Sequence, residues 1–120
     1  MLLDSNAIIY FSKDNAFEKF SSRFDRDFFA SEITRLEVLG FHRLEKIDKL
    51  KLERLFSLVN LFDVNKKIIE EAILLRQKKN ISLGDAIIAG TAIVHKLPLV
   101  TANISDFKWI KNLELINPLI

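Results

Sequence analysis

Residues 82–101 read SLGDAIIAGTAIVHKLPLVT, and this stretch decides the fold. Ser82 supplies a capping oxygen, the following residues are alanine- and isoleucine-rich with polar groups mainly at the ends, and Lys96 closes the run. The pattern predicts a buried helix from about Ser82 to Lys96. Leu97-Pro98-Leu99-Val100-Thr101 then reads as a strand, with proline tolerated at its first residues. A buried helix leading into a buried strand is the local signature of a sheet covered by helices.

Working outward, Met1–Asp4 is short and apolar enough for a buried strand, and Ser5-Asn6 offers capping oxygens to a helix over Ala7–Phe11. A second short helix is expected over Ala16–Phe24, then a strand at Phe28–Ala30. Ser31 caps a helix whose apolar positions Ile33, Leu36, Gly40, Phe41 and Leu44 recur at three- and four-residue steps, with Glu37 on the same stripe. Asp48–Asn60 predicts another helix, Leu61–Val64 a strand, and Asn65 the cap of a long helix through Lys79. Ala102–Asp106 reads as a loop, Phe107–Ile110 as a helical turn, and Leu113–Ile116 as a last strand. Strands alternating with helices over 120 residues predict one α/β domain with a mainly parallel, twisted sheet.

Composition excludes several classes of function. The chain has no cysteine, so disulfides and thiolate metal sites are absent, and His42 and His95 alone do not make a zinc site. The Met1-Leu2-Leu3-Asp4 start lacks the basic region of a signal peptide, and no apolar run has membrane-spanning length. A cytoplasmic protein with no membrane partner is expected. A net charge of +2 does not announce a polyanion binder. The clusters Lys49, Lys51, Arg54 and Arg76, Lys78, Lys79 read as solvated helix faces in preference to a phosphate track.

Four acids stand among apolar neighbours: Asp4 after Leu2-Leu3, Glu37 between Leu36 and Val38, Asp85 before Ala86-Ile87-Ile88, and Asp106 before Phe107. Ionised oxygens aimed at a core need a compensating cation or donor. Asp4 and Asp106 follow predicted strands, and in open α/β sheets ligands bind beyond the strand carboxyl ends. Hard oxygen donors without sulfur suit Mg²⁺ or Mn²⁺. Each acid also has a structural reading: Asp4 as a helix cap, Ser82 with Asp85 as a capping box, Asp106 as an Asx turn. Glu37, in mid-helix, has no capping duty.

The segments LLDSNAIIY (2–10), SEITRLEVLG (31–40) and SLGDAIIAGTAIVHKLPLVTANISDF (82–107) resemble the PIN domain, and in particular the VapC-type toxins of toxin–antitoxin pairs. The resemblance spans nearly the whole chain, although Phe41–Asn80 matches only in helical pattern. It implies a three-layer α/β/α sandwich and a Mg²⁺- or Mn²⁺-dependent endoribonuclease. On that resemblance Asp4, Glu37, Asp85 and Asp106 are the catalytic and metal-holding acids, and Ser5, Asn6, Thr101 and Asn103 are supporting polar residues. Ser5 is expected to orient Asp4. Ala102 departs from the family, where many members carry a basic residue. The resemblance further implies an RNA substrate, a homodimer, and an antitoxin whose apolar segment occupies a groove, for which Ile9, Phe17, Phe20, Phe24, Phe41, Leu55 and Phe56 are the available apolar side chains. A free-standing nuclease and a non-catalytic PIN-fold module are the alternatives. A phosphotransfer enzyme using Asp4 as nucleophile is disfavoured, because Asn6 stands where haloacid-dehalogenase phosphatases carry a second aspartate.

Overall fold

The computed structural model describes residues 1–120. In chain order the elements are β1 (Leu2–Leu3), α1 (Ser5–Phe11), α2 (Ala16–Ser21), β2 (Phe29–Ser31), α3 (Glu32–Leu39), α4 (Lys46–Leu58), β3 (Asn60–Phe62), α5 (Lys66–Lys78), α6 (Leu83–His95), β4 (Leu99–Val100), α7 (Ile104–Phe107) and β5 (Leu115–Ile116). The five strands form one sheet in the order β3-β2-β1-β4-β5, and every pairing is parallel.

Alternation along the central strands divides the interior into two cores. Leu3 and Val100 point into a larger core with Ile8, Phe11, Phe20, Val38, Leu55 and Phe56. Leu2 and Leu99 point to the opposite face, where Leu75, Ile88, Ala92 and Phe107 cover them. A two-residue strand with one side chain in each core is buried on both faces. The result is a three-layer α/β/α sandwich, with α1, α2 and α4 on one face and α5, α6 and α7 on the other. An aromatic cluster fastens the first layer: the Phe11 and Phe20 rings lie 4.9 Å apart, and Phe17 and Phe28 meet edge to face at 5.4 Å.

The alanine-rich α6 is buried as its composition predicts, with Ala86, Ala89, Gly90 and Ala92 all inaccessible. Gly90 allows α5 to approach: a Cβ there would stand 3.0 Å from the Ile68 carbonyl oxygen and 3.3 Å from the Ala72 nitrogen. Lys96 ends α6 in the left-handed region (φ 55°). That reversal lets the Leu97 amide donate to the Ala92 carbonyl at 2.9 Å and turns the chain into β4.

Several boundaries differ from the sequence expectations. Of the caps offered for α1, Asp4 serves, and Ser5 and Asn6 do not: its Oδ1 accepts from the Ala7 amide at 2.8 Å. α2 stops at Ser21, so Phe24 packs from a turn. α3 ends at Leu39 with Gly40 as its cap, so Leu36 (68% exposed) and Phe41 (53% exposed) do not belong to the core. α4 begins two residues before Asp48, at Lys46. Asp106 lies on α7, where a loop was expected.

Candidate functional site

Strand order reverses at β1. The chain moves from β1 outward to β2 and β3, then returns to lay β4 on the other side of β1. The carboxyl ends of β1 and β4 therefore open a crevice between diverging connections. The Asp4 amide donates to the Val100 carbonyl at 3.2 Å, which puts Asp4 and Thr101, the residues immediately after β1 and β4, side by side at the crevice floor. Asp4 is only 4% exposed and Thr101 is fully buried.

The other acids enter from helices. β2 ends at Ser31, whose hydroxyl accepts from the Ile33 amide at 3.1 Å and starts α3. Glu37, two turns on, is exposed and does not share the inward stripe of Thr34 and Val38. Its carboxylate reaches back to the crevice, where Ser5 Oγ donates to Glu37 Oε1 at 2.7 Å and lies 3.4 Å from Thr34 Oγ1. Ser5 thus positions Glu37, not Asp4 as the sequence suggested. On the far side, Gly84 faces the same carboxylate, and a Cβ at residue 84 would stand 2.9 Å from Glu37 Cδ.

Asp85 lies in the first turn of α6, where Ser82 Oγ accepts from the Asp85 amide at 3.1 Å. The reciprocal bond of a capping box is not made, so the Asp85 carboxylate is not consumed by capping. Asp106, on α7, is exposed. It shares with Asp85 a cleft of about 270 Å³, also lined by Lys79, Asn80, Ser82, Ser105 and Trp109. Asn6 is exposed on α1 and takes no part in this network. Asn103 contributes its amide, which donates to Thr101 Oγ1 at 3.0 Å, while its own side chain is exposed.

Electrostatics links the acids pairwise: Asp4 with Asp85 and Glu37, and Asp85 with Glu37 and Asp106. Burial pushes the Asp4 carboxyl above its ordinary 3.8; the Thr101 hydroxyl and Ala7 amide oppose this, and the Asp85 and Glu37 charges add to it. Asp85 is also raised, first by burial and then by Glu37 and Asp106, against the Ser82 hydroxyl. The two ion pairs of the molecule, Arg35–Glu32 and Lys49–Glu53, involve none of the four. Crowded carboxylates without a counter-charge are the donor set that a hard divalent cation compensates. No three acids or histidines are already drawn close enough to hold one ion. The acids therefore fit such a cation in their chemistry, with Glu37 and Asp106 on the exposed side.

The histidines stay outside this network. His42 is exposed, and His95 stacks on Phe62 with ring centroids 3.7 Å apart. Sequence reading missed Thr34, Gly84 and Trp109, and weighed Lys79 only as part of a solvated basic face. Thr34 carried a usable signal, being a polar residue three positions before Glu37 in an otherwise apolar helix face.

Residues 1–111 match the sequence model of the family described as PIN domain. The chain belongs to the PIN domain family. Among solved structures, this PIN domain is similar to a chain of a toxin–antitoxin complex from Klebsiella pneumoniae (29% identity, 98% of this chain and 96% of that one covered, TM-score 0.77). It is also similar to a chain of VapBC2 from Rickettsia felis bound to a DNA fragment from the promoter (26% identity, 97% and 96% covered, TM-score 0.85). A chain of VapBC-1 from nontypeable Haemophilus influenzae (24% identity, 99% and 98% covered, TM-score 0.79) shares the fold. No curated protein sequence matches the chain. No helix of this PIN domain is long and apolar enough to cross a membrane.

Proposed function

We propose that residues 1–120 form one PIN nuclease domain, a Mg²⁺- or Mn²⁺-dependent endoribonuclease that acts as the toxin of a VapBC-type pair in the cytoplasm. The observation that carries this reading is that Asp4, Glu37 and Asp85 feel one another's charge near the strand switch point, that Asp106 shares a cleft with Asp85, and that none of the four has an ion-pair partner. These four would hold the cation. When bound, it would acidify a water and neutralise charge gathering on the phosphoryl oxygens.

The chain's own residues prepare that chemistry. The Ala7 amide fixes Asp4 at the crevice floor, and Ser5 holds the Glu37 carboxylate in place. Ser5 is not a nucleophile, because its hydroxyl faces Glu37 and Thr34 and no histidine stands by to activate it. Lys79 on the cleft rim supplies positive charge for a phosphate that the acids alone would repel.

The partner proposal rests on the solved relatives being toxin–antitoxin complexes and on a groove of about 440 Å³ beside α3. Its apolar lining is Ile9, Val38, Phe41, Leu44 and Leu52, and it includes Glu37. An apolar antitoxin segment in this groove would touch one of the four acids directly. Of the apolar residues singled out in the sequence, Ile9 and Phe41 are exposed there, whereas Phe17, Phe20, Leu55 and Phe56 are buried. Ile69 and Ile73, one turn apart on α5 and exposed, offer a surface for the proposed homodimer.

The test is cleavage of RNA by the purified chain with Mg²⁺ or Mn²⁺, beside Asp4→Asn and Asp85→Asn, which keep side-chain shape. Metal-dependent cleavage lost in both variants is the expected result. Cleavage unaffected by the substitutions or by chelator overturns the assignment.

A further inference from the structure

Trp109, the only tryptophan of the chain, belongs to neither the acid set nor either core in full. It is half-buried, packing at the edge of the Ile81–Ala86 cluster, and its Nε1 donates to the Asp106 carbonyl at 2.8 Å. That bond ties the ring to the backbone of an acid-bearing residue. The Lys79 ammonium lies 5.6 Å from the ring centroid. Ring, ammonium, Asp85 and Asp106 line one cleft, together with the polar side chains of Asn80, Ser82 and Ser105.

An aromatic ring held by its edge, beside a flexible cation and polar rim groups, is the arrangement that receives an unpaired base and its phosphate. The cleft, at about 270 Å³, is close to the smallest ordinary small-molecule sites, about 300 Å³. It suits one planar ring and excludes a folded peptide segment. Double-stranded RNA buries its base faces by stacking, so a ring face can be offered only to a base from a loop, bulge or single strand.

We propose that Trp109 and Lys79 form a nucleobase subsite, in which a base next to the scissile phosphate stacks on the indole while Lys79 pairs with the adjoining phosphate. The proposal rests on the ribonuclease reading and names the side chains that would receive one base of its substrate. Lys79 leaves the ring when the base arrives, exchanging a cation–π contact for a phosphate contact. Asn80 and Ser82 offer hydrogen-bonding groups at the base edge.

The single tryptophan makes the subsite observable without cleavage. The Asp4→Asn chain, in which cleavage is expected to be lost and which serves as background for the further variants, is titrated with Mg²⁺ present and a fluorescein-labelled single-stranded RNA oligonucleotide, and both its anisotropy and the Trp109 emission are followed. Anisotropy and Trp109 quenching that saturate together are the expected outcome, with a hairpin duplex of the same length binding more weakly. Trp109→Ala should weaken binding about five- to a hundredfold, Lys79→Ala less, and Trp109→Phe within about threefold. The phenylalanine variant keeps the packing against Ile81, so loss of fold in Trp109→Ala does not obscure the result. An oligonucleotide that binds while Trp109 emission stays constant, or an unchanged affinity in a folded Trp109→Ala, overturns the subsite and leaves the nuclease reading standing. Absence of any binding overturns both.

Discussion

Gly84→Ala adds one methyl group between the start of α6 and the carboxylate that α3 extends toward Ser5. The new Cβ would stand 2.9 Å from Glu37 Cδ and 3.2 Å from Oε1, whereas carbon contacts settle at about 3.5–4.0 Å. The carboxylate must retreat by about 0.6 Å or more, which shifts it against Ser5 and weakens the 2.7 Å bond. The fold should survive. Alanine gains up to about 1 kcal/mol over glycine in a helix, and losing an exposed charged hydrogen bond costs about the same. Melting should therefore stay within about 5 °C of wild type. Misplacing a catalytic group by about 1 Å costs on the order of 100-fold, so kcat/KM for RNA cleavage should fall about 10- to 100-fold. In a Glu37→Ala background the same substitution should cost nothing further, because the group it displaces is gone. Wild-type activity in Gly84→Ala, or an equal loss in both backgrounds, would refute the reasoning.

Gly90→Ala is the structural counterpart. Its Cβ meets backbone atoms of Ile68 and Ala72 that cannot swing aside, so a loss of about 1–3 kcal/mol is expected in urea unfolding. Asp4 and Asp85 are held above their ordinary 3.8, so the folded state binds their protons more tightly than the unfolded one. Their favourable contribution is complete below 3.8 and is lost as pH rises through the folded values; Asp4→Asn and Asp85→Asn should be more stable than wild type at pH 7, an advantage that shrinks toward pH 4. Mg²⁺ should raise the melting temperature of wild type, by about 2.7 kcal/mol of stability at a hundred times its Kd, and leave a variant carrying both Asp4→Asn and Asp85→Asn unmoved in differential scanning fluorimetry. Lys96→Gly relieves the left-handed backbone at the end of α6 and should add about 1 kcal/mol in the same unfolding assay.

How far the molecule was legible in its sequence depends on what each residue signals locally. Asp4 and Asp85 were readable because an acid at a strand end or in a helix's first turn stands beside the apolar run that defines the element. The long helices α5 and α6 announced themselves through Asn65 and Ser82, whose side chains do accept from the amides of Ile68 and Asp85. α3 was misread because a three- and four-residue period marks an apolar stripe without saying what covers it. Leu36 and Phe41 fit the period and face outward. Glu37, read as part of that inward stripe, stands exposed and meets Ser5 through its carboxylate. Lys79 was weighed only as part of a solvated basic face, and Gly84 and Trp109 gave no linear signal, since each matters through a neighbour distant in sequence or across a cleft.

The pairing of β1 with β4 joins Leu2 to Leu99, a separation of 97 residues (99 − 2). A ribosome adding about 5–20 residues per second takes roughly 5–20 s to cross that interval. Throughout it, the emerging chain gains Glu37 and then Asp85 beside Asp4 but has no crevice, because the strand that walls it has not been made. The acid site therefore forms only after β4 has been made, and a product terminated before Asp85 carries at most two of the four acids and no site.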